Sequence, residues 1–233
     1  MLEKIKALNM LSENINPTII YNEGWIVRLL VIESMLEKIT IENIEFGKLA
    51  NKKWSSEALI ASPFVTTKIN REGYTHADII LGDFDVNYGE RGKVVLADMP
   101  EILGIIEAKM GSSLSKGTRN APNYNQASRN ICCLAHTTQS TDCGTFFIIA
   151  APQSIIKKYN NFEEQINQIK PQISERFSHS EISYSKEIEK KVSECKVSVI
   201  SYEDWINKLK HAEIKNMLID FYNQCKKYNK IQD

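Results

Sequence analysis

Apolar residues first fall into a helical rhythm at Trp25, Leu29, Ile32, Leu36 and Ile39, with Ile26, Val27 and Leu30 extending the apolar character onto a second side. Asn22, just ahead, offers a side-chain acceptor to the unpaired N–H groups of a first helical turn, and Glu23 places a carboxylate where the helix dipole favours one. The pattern predicts a substantially buried helix from about Asn22 to Lys38. At about 100° per residue, Glu23 projects with Ile26, Val27 and Leu30, away from Trp25 and Leu29. Residues 1–20 read as a loosely docked helical segment ending near Pro17.

The middle of the chain changes period. Short apolar runs between turn residues predict a short strand or turn at Ser55–Ser62, a β-like run at Phe64–Ile69 and a strand at Thr75–Leu81. Alternation sets Asp78 and Ile80 on one face of that strand and Ala77, Ile79 and Leu81 on the other, with Asp83 and Asp85 in its fading end. Further runs at Lys93–Ala97 and Ile102–Lys109 are expected to join it as a meander. A polar loop then leads into a helix over about Asn123–His136, followed by a buried strand at Thr145–Ala150. Beyond it, Phe162, Ile166, Ile169, Ile173 and Phe177 keep helical spacing, with Pro171 expected to kink or split the helix. Val197–Ile200 predicts a last short strand, and Asp204–Tyr228 one or two helices. These elements make a single α/β domain over residues 1–233, a central mixed β-sheet flanked by helices, with its core at about 20–152 and a mainly helical portion over 153–233.

Composition and charge restrict the partners. The 29 Lys and Arg residues equal the 29 Asp and Glu residues, so no overall field draws the chain onto nucleic acid or an anionic membrane, and polyanion binding must be local. No apolar run approaches the roughly 20 residues of a membrane span, and no signal-peptide pattern opens the chain, so a cytoplasmic protein without membrane association is expected. The 5 cysteines are odd in number and contain no C-x-x-C pair, which argues against a disulfide framework and a zinc site.

Two of the apolar strands carry charge where core strands carry none. Asp78 interrupts Thr75–Leu81, and Glu107 and Lys109 project from one side of Gly104–Lys109 while Ala108 points to the other. A carboxylate beside an ammonium at a sheet centre is costly unless a metal ion or an anionic substrate shares the site. The tripeptide E-x-K also begins at Glu189, Glu194 and Glu213, but only Glu107 ends an apolar strand that follows another bearing an acid. The loop after Lys109 carries Lys116 and Arg119, and the next helix has Gln126 and Arg129 in its early turns. Lys48, Lys52, Lys53 and Trp54 form a second small basic cluster, read as solvated surface.

Glu23 on a helix, Asp78 on a strand, Glu107-Ala108-Lys109 on another strand and a helix with Gln126 together resemble the PD-(D/E)xK nucleases, the restriction-endonuclease-like family, over about residues 20–152. Ala77 stands in place of the family's proline, and Asn130 where its exonuclease-like branch carries tyrosine. The resemblance implies a restriction-endonuclease-like core and metal-dependent hydrolysis of phosphodiester bonds, as in a DNA endonuclease of restriction or phage-defence type. The alternative is a nuclease-fold binding or partner-dependent protein with little activity alone. Mg²⁺ or Mn²⁺ would be held by Asp78, Glu107 and the Ala108 backbone carbonyl, with Glu23 binding a second ion or orienting a metal-bound water. In this scheme Lys109 positions the attacking water or stabilises developing charge, Gln126 completes the catalytic set, and Lys116, Arg119 and Arg129 contact substrate phosphates. Cutting both strands of duplex DNA with one site per chain favours a homodimer.

Overall fold

The computed structural model describes residues 1–68, 70–90 and 93–231. Helices α1 (Leu2–Leu11) and α2 (Pro17–Ile20) precede α3 (Glu23–Glu37), and the short strands β1 (Thr40–Ile41) and β2 (Ile44–Glu45) lead to α4 (Phe46–Leu49). The main sheet is built from β3 (Lys53–Ala61), β4 (Tyr74–Gly82), β5 (Phe84–Asn87), β6 (Lys93–Leu96) and β7 (Ile102–Ala108). After α5 (Gln126–Thr138) come β8 (Gly144–Ala151), α6 (Gln153–Lys158), α7 (Glu163–Asn167) and α8 (Ile169–Ser178). The chain closes with α9 (Lys186–Glu194), β9 (Lys196–Ser201), α10 (Tyr202–Lys208) and α11 (Ala212–Tyr228). Among the described residues no helix is long and apolar enough to cross a membrane.

The fold is α/β, with a seven-stranded mixed sheet in the order β5-β6-β3-β4-β7-β8-β9. β3, β4 and β7 pair antiparallel, whereas β7, β8 and β9 run parallel. Helices cover both faces. On one, α3, α10 and α11 pack Ile26, Leu30, Trp205 and Phe221 against Ile79, Leu81, Ile106 and Ile148. On the other, α5, α8 and α9 pack Ile131, Leu134, Phe177 and Val192 against Ile80, Ile105, Phe147 and Ile149. Covered on both faces, β7 and β8 read as almost continuous apolar runs, the pattern expected of parallel strands inside a sheet.

α3 forms where the pattern places it, with Asn22 Oδ1 accepting from the Trp25 N–H at 3.0 Å and Lys38 ending the helix at φ 53°. Its buried residues include Ile26, Val27, Leu30 and Val31 together with Leu29 of the Trp25 stripe, whereas Leu36 of that stripe is 64% exposed. Glu23 therefore lies toward the buried side.

Other expectations are corrected. Ser55–Ala61 belongs to the longer strand β3. The Phe64–Ile69 run forms no strand among its described residues: Pro63 fixes the backbone at the start of a 3-10 turn, Pro63–Thr66, and Ser62 Oγ accepts from the Phe64 N–H. Ile69 lies outside the described residues, as do Arg91 and Gly92 of the loop before β6. Asp85 sits inside a separate strand, β5, which pairs with β6 in an antiparallel hairpin. That hairpin folds past β4 so that β6 lies parallel to β3, which replaces the expected meander. The break in the later helical run falls at Gln168, and Pro171 sits in the first turn of α8, where a missing N–H has no intrahelical partner to lose. Helix α6 lies outside the helical runs expected of this region.

Close approach of β7 and β8 sets one requirement on sequence. Gly104 faces Phe146 in register, and a Cβ at Gly104 would lie 2.2 Å from the Phe146 ring. Gly104→Ala is expected to destabilise the fold by about 1–3 kcal/mol through overpacking. Urea denaturation should show this as a lowered midpoint, partly restored by adding Phe146→Leu. An unchanged midpoint would mean that the two strands separate without cost.

Candidate active site

The register of β4 and β7 pairs Ile79 with Ile106 and Ile80 with Ile105, and its continuation sets Asp78 opposite Glu107. Asp78 Oδ2 accepts from the Ala108 N–H at 2.8 Å, so the Asp78 carboxylate turns onto the neighbouring strand. Glu107 is 0% exposed. Its Oε1 accepts from Lys109 Nζ and from Gln126 Nε2, each at 2.6 Å, and its Oε2 accepts from Asn130 Nδ2 at 3.0 Å. The residue just past β7 supplies the lysine, and α5 supplies both amides.

Local sequence explains why α5 aims them there. Asn125 Oδ1 accepts from the Ser128 N–H at 2.9 Å and starts the helix at Gln126, two residues later than the polar pattern suggests at Asn123. Gln126 and Asn130 stand four apart and so share the face turned to the sheet. Gln126 Oε1 in turn accepts from the Ser115 N–H at 3.3 Å, and Arg129 Nη2 donates to Ser115 Oγ at 2.9 Å. Arg129 thereby ties the loop after β7 to the helix that holds Glu107.

Electrostatically the pair is not balanced. Burial first, and then the Asp78 carboxylate, push the Glu107 carboxyl up to about 8, against the pull of Lys109. Asp78 is half-buried, at a place where strict alternation fails. Ala77 and Ile80 pack into one core while Ile79 packs into the other, which corrects the simple expectation for Ala77. Glu57, opposite Asp78 in the β3–β4 register, takes a left-handed φ of 57° beside this kink. Glu57 also meets Arg28 of α3 at 3.4 Å.

Glu23 opens α3 and is half-buried. It makes no hydrogen bond with the Asp78–Glu107 pair; the phenol of Tyr202 lies near it instead. Tyr202 is 0% exposed, its hydroxyl has no hydrogen-bond partner among the described residues, and burial together with the Glu23 and Asp78 carboxylates holds its proton well above the usual tyrosine range. Glu23 and Asp78 thus share one electrostatic neighbour.

Of the expected site residues, the structure unites Asp78, Glu107, Lys109 and Gln126, with Arg129 one link away. Lys116 is exposed in a cleft with Glu164, Gln165 and Gln168, whereas Arg119 lines another with Arg71 and Arg129. Neither Lys116 nor Arg119 touches the acidic pair. The basic cluster leading into β3 is neutralised: Lys48 pairs with Glu45 at 2.8 Å, Lys52 with Asp83 and Glu101 at 2.8 Å each, and Lys53, the first residue of β3, with Asp85. Sequence reasoning missed Asn130 as a Glu107 partner, along with Ser115, Tyr202 and the Arg28–Glu57 pair. The i, i+4 spacing of Gln126 and Asn130 was the one signal that pointed to Asn130.

Among the described residues no three His, Cys, Asp or Glu side chains converge closely enough to hold a metal ion. Asp78, Glu107 and the Ala108 carbonyl nonetheless match Mg²⁺ or Mn²⁺ as hard oxygen donors. The raised proton affinity of Glu107 marks uncompensated negative charge that a cation would balance. Comparison with protein-family models, curated proteins and solved structures gives no match.

The folded chain holds the Glu107 proton more tightly than the unfolded chain, so stability from this group is full below the ordinary 4.5 and lost as pH rises through about 8. Urea midpoints measured in EDTA are therefore expected to fall from about pH 5 to about pH 8. Glu107→Gln should flatten that slope, and an unchanged slope would assign the titration to another group.

Proposed function

We propose that this chain is a metal-dependent nuclease of the PD-(D/E)xK type that hydrolyses phosphodiester bonds in DNA as an endonuclease. The observation that carries the reading is the facing of Asp78 and Glu107 across β4 and β7, with Lys109 on Glu107 Oε1 at 2.6 Å. Asp78, Glu107 and the Ala108 carbonyl would hold Mg²⁺ or Mn²⁺, with Glu23 on the Tyr202 side as a further acidic group. A hard divalent cation neutralises charge on phosphoryl oxygens and supplies a water-derived nucleophile near neutral pH.

The protein's own residues supply the remainder. Lys109, only 13% exposed in its side chain, keeps a cation at the place where a phosphate would meet the carboxylates. There it orients the attacking water or stabilises developing negative charge. Gln126 and Asn130 fix the Glu107 carboxylate, so its oxygens keep one orientation while Lys109 exchanges from carboxylate to substrate. Arg129, Arg119 and Lys116 offer cations along the adjoining loop for backbone phosphates, consistent with local attraction in a chain of net charge +0.

The test is cleavage of supercoiled plasmid with Mg²⁺, with Mn²⁺ and with EDTA. Cleavage is expected with either metal and not with EDTA, and Asp78→Ala or Lys109→Ala should lower its rate by roughly 10²–10⁴-fold. Equal cleavage by the variants would remove the assignment. Retained DNA binding without cleavage by the wild type would favour a binding or partner-dependent protein on the same fold.

A further inference from the structure

Beyond the acidic pair, a cleft of about 230 Å³ lies between the start of β4, the loop that precedes α5, and α5 itself. Arg71, Arg119 and Arg129 line it. None of the three pairs with a carboxylate among the described residues, whereas Arg28 and Arg176 hold Glu57 and Glu72 at 3.4 and 2.8 Å. Glu72 also lines the cleft, but it is buried and already neutralised by Arg176. Like charges gathered in one concavity repel one another unless an anion shares the site.

The three groups are positioned but not satisfied. Arg71 is exposed; its Nε donates to the Val65 carbonyl at 2.8 Å, which leaves both terminal nitrogens without a partner among the described residues. Asn120 Nδ2 donates to the Arg71 carbonyl at 2.8 Å and ties the segment before β4 to the loop. Within that loop the Thr118 and Ala121 N–H groups each donate to the other's carbonyl, at 3.0 and 3.1 Å, so Arg119 sits in a tight turn. Its guanidinium bonds to nothing among the described residues, and all of its nitrogens reach solvent. Arg129 Nη2 donates to Ser115 Oγ at 2.9 Å and its Nε is buried, while its unpartnered Nη1 reaches solvent.

We infer that this cleft binds a phosphate monoester, the terminal phosphate of a nucleic-acid strand or of a nucleotide. A monoester carries a charge of about −1.5 to −2 near pH 7 and three strong acceptor oxygens. Three unopposed guanidinium groups match that charge, and their planar donor edges match its oxygens. A diester inside a strand brings a single negative charge and leaves the cluster partly unbalanced. Position links the cleft to the acidic pair. Thr75 lines it and stands three residues before Asp78 on β4, about 10 Å at the rise of a strand. That distance spans about three nucleotides of a stacked strand at roughly 3.4 Å each. For a strand end the inference rests on the nuclease reading, and it makes the substrate a strand with a phosphorylated terminus a few nucleotides from the cut.

The experiment is equilibrium binding of the full chain in EDTA, which separates binding from cleavage. One arm compares a short oligonucleotide carrying a 5′-phosphate, a 3′-phosphate or hydroxyls at both ends; the other compares adenosine 5′-monophosphate with adenosine. The expected result is a preference of about tenfold or more for the phosphorylated form in at least one arm. Preference in the oligonucleotide arm identifies a strand end and its polarity, and preference in the nucleotide arm alone identifies a free nucleotide. Arg119→Gln should remove most of that preference at an unchanged thermal midpoint, and Arg119→Lys, which keeps the charge without the fork, should restore part of it. Lys48→Gln, an exposed lysine that does not line the cleft, should leave the preference intact. Equal binding of phosphorylated and hydroxyl forms in both arms, or an Arg119→Gln variant that titrates as wild type, would overturn the inference. Plasmid cleavage without phosphate preference would remove the cleft assignment alone, whereas phosphate preference without cleavage would remove the nuclease reading alone.

Discussion

Two carboxylates held face to face across adjacent strands, one of them fully buried, impose the main constraint on this molecule. Moving such a pair out of water is unfavourable by several kcal/mol per ion before compensation. The structure compensates with an N–H from Ala108 on Asp78 and with Lys109, Gln126 and Asn130 on Glu107. Compensation is incomplete, since Glu107 still holds its proton up to about 8. A protein selected for stability alone would place apolar residues at these two positions, and this imbalance is the feature on which the proposed nuclease reading rests.

The same constraint explains why the C-terminal part is integral to the domain. α5 can present Gln126 and Asn130 only if its first turn is fixed, and Gln172 of α8 fixes it through Asn125 and Ser128. α8 is itself anchored by the buried Arg176–Glu72 pair at 2.8 Å, with the guanidinium 3.9 Å above the Phe64 ring. On the opposite face, Tyr202 and Trp205 of α10 pack beneath α3, and Trp205 Nε1 donates to Ser34 Oγ at 2.8 Å. β9 adds the outer strand of the sheet. The region past residue 152 thus builds both cores.

Charge is organised locally in a chain that is neutral overall. Lysines leading into β3 and at its first residue are matched by Glu45, Asp83, Asp85 and Glu101, which removes them as a surface for polyanions. Arg71, Arg119 and Arg129 share one cleft, and Glu72, the only carboxylate among the described residues that line it, is already bound by Arg176. Neutral composition therefore conceals a cationic concavity next to the helix that carries Gln126.

Sequence by itself determined the periodic elements and the two anomalous strands. α3 with its Asn22 cap, the Asp78 and Glu107 strands, α5 and β8 were all legible, because local capping and apolar periodicity act within a few residues. It also marked Glu107-Ala108-Lys109 by setting, since a charged pair at the end of an apolar strand is anomalous wherever that strand is placed. The run at Phe64 misled because its β-branched neighbours suggest a strand, whereas Pro63 and Ser62 impose a turn. Only tertiary structure decided which strands neighbour one another, since the β5–β6 hairpin passes β4 to reach β3 by long-range pairing that no local pattern encodes. It likewise decided which face of α3 is buried, where alternation fails at Asp78, and that Asn130 and Gln126 reach Glu107 from a helix 19 or more residues away. Those outcomes depend on how whole elements pack, and packing couples residues that sequence keeps far apart.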